Sequence, residues 1–158
     1  MDEFTVSLKI LREILEKKKD ALTGVLNISV NQEAILSIPP SGERAAFFSE
    51  TVTEKQNLID NVLECDSVFQ GMFDVMRDSL EDKLSKGGNR EKNSGEIKRI
   101  QALIKEVTEL DVSIRAQELK NNELLAPTLA SKKIDLSNRS NPAYRAKILN
   151  ELNKHKKQ

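Results

Sequence analysis

The 158-residue chain is 38% hydrophobic and 32% charged, with only 4% aromatic residues and no tryptophan. This composition argues against a thick α/β core and favours narrow apolar stripes on long, solvated helices. Its 25 basic and 25 acidic residues cancel, but residues 127–158 hold eight Lys/Arg and two Asp/Glu, a net charge of +6, so residues 1–126 carry −6.

The first predicted helix covers residues 2–38 and carries a heptad stripe. Its apolar members are Phe4, Leu8, Leu11, Leu15, Leu22, Val25 and Leu36. Ser29 interrupts one heptad position and Lys18 the other, but the 3.5-residue spacing still suits a helix lying along partner helices. Asp2 can cap the start. Weak helix formers between Gly24 and Asn31 predict a kink or fraying in the second half.

The second predicted helix covers residues 41–84. Pro39 and Pro40 end the first helix, because the residue before a proline is displaced from the α region, and Ser41 can then act as N-cap. The apolar stripe of this helix is Leu58, Val62, Cys65, Phe69, Met72, Met76 and Leu80. Roughly 44 residues at ~1.5 Å each give a helix of about 66 Å, which predicts an elongated molecule.

The third predicted helix covers residues 94–126. It follows a polar segment, residues 85–93, which reads as a flexible hairpin loop. Asn93 and Glu96 have the spacing of a capping box, and Pro127 is expected to end the helix. The three helices and their connections predict an all-α fold: an elongated antiparallel three-helix bundle in residues 1–126.

Residues 127–158 are predicted to be a basic, partly disordered tail with a short fourth helix at about 142–153. Asn141 and Pro142 form a good helix start. The apolar residues of the tail are Leu129, Ile134, Leu136, Tyr144, Ile148, Leu149 and Leu152. A helix this short is marginal alone in water, so we expect it to dock either on the chain's own bundle or on a partner.

Residues suited to catalysis are scarce. His155 is the only histidine and lies among lysines near the end, so one chain cannot supply a triad or a two-histidine metal site. Cys65 falls in the apolar stripe of the second helix and reads as a small buried hydrophobe rather than a nucleophile. Gly87-Gly88 lacks the lysine of a phosphate-binding loop. We therefore expect no enzyme activity, no metal or other cofactor and no small-molecule substrate.

Polar residues on the predicted core faces leave two interpretations open. Asp66 beside the second stripe is either an edge carboxylate that reaches water or a polar contact that sets helix register. Gln117 and Asn121 occupy core positions of the third helix. They indicate either a frayed, partly exposed helix end or a weak seam at one end of the bundle, in which a partner helix can insert or the third helix can shift.

The order of three helices and a basic tail resembles the FlgN-type flagellar export chaperones. The stretches that carry this resemblance are residues 11–17 (LREILEK), 54–59 (EKQNLI) and 114–125 (IRAQELKNNELL). They are similar to the family's opening helix, to the lysine and apolar pair early in its second helix, and to the polar end of its last long helix. The chain resembles the FliT-type chaperones as well, and these residues do not separate the two families.

The resemblance implies a cytoplasmic chaperone that binds a helical terminus of hook-filament junction (hook-associated) proteins. Such a chaperone prevents premature assembly of its client and delivers it to an export gate component. The family's client binding lies toward the C-terminus, and Tyr144 is the residue that could match a tyrosine associated with gate contact.

From the residues and the resemblance together we predict partner binding by the end of the third helix and by the tail. The predicted residues are Gln117, Asn121, Leu124, Leu125, Leu129, Ile134, Leu136, Tyr144, Ile148, Leu149 and Leu152. The alternatives are a coiled-coil adaptor acting through homo-oligomerisation and a nucleic-acid-binding regulator. We favour a protein partner, because the acidic body would repel nucleic acid and the tail's apolar face is too small for stable membrane insertion.

Overall fold

A computed structural model describes residues 2–85 and 88–131, which contain four helices and no strand. The helices are α1 (Glu3–Leu36), α2 (Gly42–Ser85), α3 (Asn89–Lys92) and α4 (Ser94–Ser131). The predicted all-α helical bundle is confirmed. The predicted tail helix at 142–153 lies outside the described residues.

The first two helices begin at the predicted caps. Asp2 Oδ1 accepts a hydrogen bond from the backbone N–H of Thr5 at 2.7 Å, and this bond, together with one from Lys92, holds the pKa of the Asp2 carboxyl well below its usual range. Ser41 Oγ accepts a bond from the N–H of Arg44 at 3.0 Å. Both side chains satisfy donors that a helix start leaves unpaired.

Helix α1 is continuous through the segment of weak helix formers, so the predicted fraying between Gly24 and Asn31 is wrong. Val25 and Ser29 in this segment are buried. Tertiary packing contributes more to the stability of a protein helix than intrinsic propensity does, and here it overrides the preference of these residues.

The polar segment at residues 85–93 contains a short helix, α3, where we predicted only a flexible loop. Gly88 precedes this helix with a φ of +72°, a left-handed conformation that glycine adopts without steric cost. Lys92 in α3 pairs with Asp2 at 2.9 Å. Residues 89–92 are thus helical, although their composition alone indicates a loop.

Helix α4 extends through Pro127 to Ser131, so the predicted end at Ala126 is five residues early. The ring of a proline fixes φ near the helical value. Its cost is one lost backbone hydrogen bond and a clash with the preceding turn, which a long helix can absorb by kinking. Pro127 is therefore not the boundary between helix and tail.

The described residues form two compact units, which we call unit 1 and unit 2. Unit 1 contains residues 2–24, 58–85 and 88–112, and unit 2 contains residues 25–57 and 113–131. Within unit 1, α1 and α4 run parallel, because Arg12 pairs with Glu96 and, further along both helices, Lys19 pairs with Glu106.

Helix α2 runs antiparallel to α1 in both units. In unit 1, Lys18 pairs with Asp66, and the later Gly24 lies next to the earlier Leu58. In unit 2 the same reversal holds: Ser29 contacts Lys55, and the later Gln32 contacts the earlier Thr51. Each unit thus has the predicted up-down-up arrangement.

The two units differ in the chemistry of their cores. Unit 1 has an apolar cluster of Phe4, Leu8, Leu11 and Met76, against which Phe69, Met72, Leu80, Ile97 and Ile100 pack. Unit 2 has a smaller buried cluster of Leu36, Ala45 and Phe48, with Ile35, Val52, Leu124 and Leu125 packed against it. The other buried residues of unit 2 include several polar side chains.

Candidate functional site

Unit 2 holds a group of polar side chains at core positions of α1, α2 and α4, which we call the polar layer. It consists of Ser29, Gln32, Thr51, Lys55, Gln117, Glu118 and Asn121. Hydrogen bonds connect three helices through this layer. Polar groups removed from water are costly unless they are bonded in this way.

Lys55 lies at the centre of the polar layer. Its Nζ donates hydrogen bonds to Glu118 Oε1 and, at 2.7 Å, to Gln32 Oε1, and it lies 3.4 Å from Ser29 Oγ. Its side chain is only 14% exposed. This one ammonium group on α2 therefore bonds to side chains on both α1 and α4.

Ser29 joins α1 to α4 through both its side chain and its backbone. Its hydroxyl donates to Glu118 Oε1 at 2.7 Å, and its carbonyl oxygen accepts from Asn121 Nδ2 at 2.9 Å. Gln117 Nε2 in turn donates to Asn121 Oδ1 at 3.2 Å. Because the serine side chain is small, the amide of Asn121 can approach the α1 backbone directly.

The structure describes the side chains of four of the predicted partner-binding residues, all in unit 2. Gln117 and Asn121 are buried in the polar layer, so the interpretation of an exposed, frayed helix end is wrong. Leu124 and Leu125 are half-buried against the apolar cluster of unit 2. Leu129 lies in the last turn of α4, but its side chain is outside the described residues. So are Ile134, Leu136, Tyr144, Ile148, Leu149 and Leu152.

Sequence reasoning missed Lys55, Glu118 and Gln32 as members of this site. The signal available was the interruption of the α1 heptad stripe at Ser29, which marks the level at which the polar residues meet. Lys18, the second interruption of the stripe, also contacts a polar residue on another helix: in unit 1 its ammonium pairs with Asp66 on α2. The half-exposed Asp66 carboxylate thus makes an interhelical contact while keeping part of its surface in water.

Arg44 is a second unexpected polar residue in the core of unit 2. It lies in the first turn of α2 and is only 4% exposed. Its Nε is buried without a hydrogen-bond acceptor, and burial lowers the pKa of the guanidinium. Within residues 2–85 and 88–131, no carboxylate pairs with this side chain.

Cys65 is half-buried, less than its place in the apolar stripe predicted. It lines an open groove of about 520 Å³ in unit 1, together with Ile14, Ala21, Leu58 and Val68. Burial, and then the neighbouring Asp66, raise the pKa of its thiol. A thiol with a raised pKa is a poor nucleophile at neutral pH, since the thiolate is the reactive form.

No protein family, curated protein or solved structure gives a significant match to the chain. In the part of the chain that the structure describes, no group of three His, Cys, Asp or Glu side chains could hold a metal ion. None of the described helices is both long and apolar enough to cross a membrane.

Proposed function

We propose that the chain is a cytoplasmic chaperone of protein export that binds a helical terminus of its client. Following the FlgN-type resemblance, the client in this proposal is a hook-filament junction protein of the flagellum. The chaperone keeps the client terminus from assembling prematurely and delivers it to the export apparatus. It acts by binding and carries out no covalent chemistry.

The observation that supports this proposal is the polar layer of unit 2. A bundle built for stability alone would place Leu or Ile at these positions, where each fully buried side chain stabilises by about 1.5–3 kcal/mol. Polar groups are bonded within the layer but can also be solvated when the helices separate. The free energy needed to open unit 2 is therefore lower than for an apolar layer of the same size.

The mechanism that follows is exchange of helices. The end of α4 separates from α1 and α2, and an amphipathic client helix takes its place against the apolar cluster of Leu36, Ala45 and Phe48. Ser29 and Lys55 then bond to the client instead of to α4. Helix-in-groove binding of this kind uses apolar residues for affinity and polar residues for register.

The proposal is tested by co-expressing the full-length chain with candidate hook-associated proteins and purifying by a tag on the chain. We expect a client to co-purify at a fixed stoichiometry. If none does, and light scattering finds a stable higher-order oligomer of the chain alone, the coiled-coil adaptor replaces the chaperone as the better explanation.

The role of the polar layer is tested separately with Gln117→Leu/Asn121→Leu. Filling the layer with leucine should stabilise the free chain by about 1–2 kcal/mol and weaken client binding by about tenfold, because opening costs more. The matched control is Gln101→Leu, the same kind of change at an exposed position of α4. Unchanged affinity in the double variant, measured by calorimetry, would place client binding elsewhere.

A further inference from the structure

The buried face of α2 in unit 2 carries two cationic side chains, and only one of them has a carboxylate partner. Lys55 pairs with Glu118. Arg44 lies eleven residues earlier, about three helical turns, and is more deeply buried. Its guanidinium makes no ion pair with the residues that the structure describes, and its Nε has no acceptor.

A buried cation without a partner lowers the stability of the free chain. Removing a charge from water costs several kcal/mol unless ion pairing and hydrogen bonds offset it, and burial is the cause that lowers the pKa of Arg44. A methionine or leucine would fill the same volume at no such cost. The presence of arginine is therefore better explained by a ligand than by packing.

The surroundings of Arg44 suit an anion on an apolar segment. Arg44 lies in the first turn of α2, where the helix dipole and the N–H groups of the helix start favour negative charge. Phe47, one turn later, and Ile38, in the turn before α2, are each 46% exposed. Buried Phe48 lies on the same face, four residues along the helix.

The register of unit 2 places Arg44 level with the ends of α1 and α4. Lys55 on α2 is level with Glu118 on α4, and these helices run antiparallel. Eleven residues further along α4 from Glu118 is the last turn of the helix, which ends at Ser131. On the other side, α1 ends at Leu36. Because Arg44 is only 4% exposed, a partner segment reaches it when the end of α4 separates from α1 and α2, the exchange of helices proposed above.

We propose that Arg44 is the docking point for a carboxylate on an apolar helical segment of a partner protein. The inference rests on the proposed chaperone function and adds that the client helix carries an acidic residue within its apolar face. The planar guanidinium can bind both oxygens of such a carboxylate.

Charge selects between a partner and the chain's own tail as the occupant. Residues 132–158 contain eight Lys/Arg and only two acidic residues, Asp135 and Glu151. Placing this tail beside Arg44 would bring like charges together, which disfavours the contact. An acidic partner helix would be attracted both by Arg44 and by the basic tail.

The test uses the full-length chain, the variant Arg44→Met and the control Lys120→Met, which removes an exposed cation from α4 in the same unit. The probe is a fluorescent amphipathic peptide of about 18 residues, long enough to form a helix, with one Glu in a leucine face. A second peptide has Gln at that position. Fluorescence anisotropy measures binding, and urea denaturation followed by circular dichroism measures stability.

We expect Arg44→Met to raise the urea midpoint, because an unpaired buried charge is removed. We also expect the chain to bind the Glu peptide about tenfold more tightly than the Gln peptide, and this preference to disappear in Arg44→Met but not in Lys120→Met. A lower midpoint in Arg44→Met overturns the inference, as does equal binding of the two peptides, or no binding of either, by the unchanged chain.

The tail is tested with Asp135→Asn/Glu151→Gln. Tighter binding of the Glu peptide by this double variant would assign the Arg44 site to the chain's own tail and overturn the partner as occupant. These readouts need no flagellar protein. A failed co-purification with hook-associated proteins would therefore refute the proposed client without altering the result at Arg44.

Discussion

Replacing Lys55 with methionine tests how much the polar layer stabilises unit 2. Methionine keeps most of the apolar stem and removes the ammonium that bonds to Glu118 and Gln32. The carboxylate of Glu118 then retains the hydroxyl of Ser29 as a donor. Its side chain is 37% exposed, so water can replace part of what is lost.

The expected loss in the free energy of unfolding is about 2 kcal/mol. Two charge-assisted hydrogen bonds contribute about 1.5 kcal/mol each. Part of this loss is offset, because folding of the variant no longer requires an ammonium group to be removed from water. For a chain of this length the loss corresponds to a fall of about 4–8 °C in the melting temperature. In the double variant Lys55→Met/Glu118→Met both charges are gone, and we expect a coupling energy of about 1.5 kcal/mol, the contribution of the Lys55–Glu118 bond alone.

The assay is urea denaturation of the four members of this double-mutant cycle, followed by circular dichroism. The control is Lys92→Met, which breaks the pair with Asp2, whose side chains are 52% and 44% exposed. An exposed pair of this kind contributes less than about 1 kcal/mol. Equal losses in Lys55→Met and Lys92→Met, or a cycle without coupling, would refute the reasoning.

Three further changes have defined outcomes. Gly71→Ala should raise the free energy of unfolding by about 0.5–1 kcal/mol, because the added Cβ meets open space in a helix interior. The matched Gly24→Ala should raise it less, since the new Cβ would lie 2.8 Å from Leu58 Cδ1. Urea denaturation measures both. The lowered pKa of Asp2 means that its stabilisation is present above about pH 4 and is lost as the pH falls, so the midpoints of the unchanged chain and Asp2→Asn should converge in acid. Truncation after Ser131 should leave the helical circular dichroism signal per residue intact and abolish client binding in a calorimetric titration, and retained affinity would contradict the role of the tail.

The long helices could be predicted from the sequence because their signals are local. The proline pair at residues 39–40 and the cap at Ser41 predict the end of α1 and the start of α2 to within two residues. The heptad stripe of α1 identifies its buried face. The nine-residue polar segment, residues 85–93, locates the connection between α2 and α4 only roughly. What the stripe does not give is the partner of each position, because a heptad repeat fits several registers equally well.

The polar layer could not be predicted for that reason. Lys55 and Glu118 are 63 residues apart in sequence, and each reads alone as an ordinary surface charge. Only the antiparallel register of α2 and α4 brings them together. Arg44 was missed for another reason: its position just after a helix cap indicates an exposed first turn, whereas its side chain is buried.

The amide pair in the polar layer also has a consequence for the alignment of the helices. If α4 slid by one heptad along α1, Asp111 would replace Glu118, and a carboxylate would still face Lys55. The same slide would put Ile114 in the place of Asn121, and the backbone carbonyl of Ser29 would lose its amide donor. The ion pair therefore fits either alignment, whereas the hydrogen bond from Asn121 to the Ser29 carbonyl forms only in the observed one.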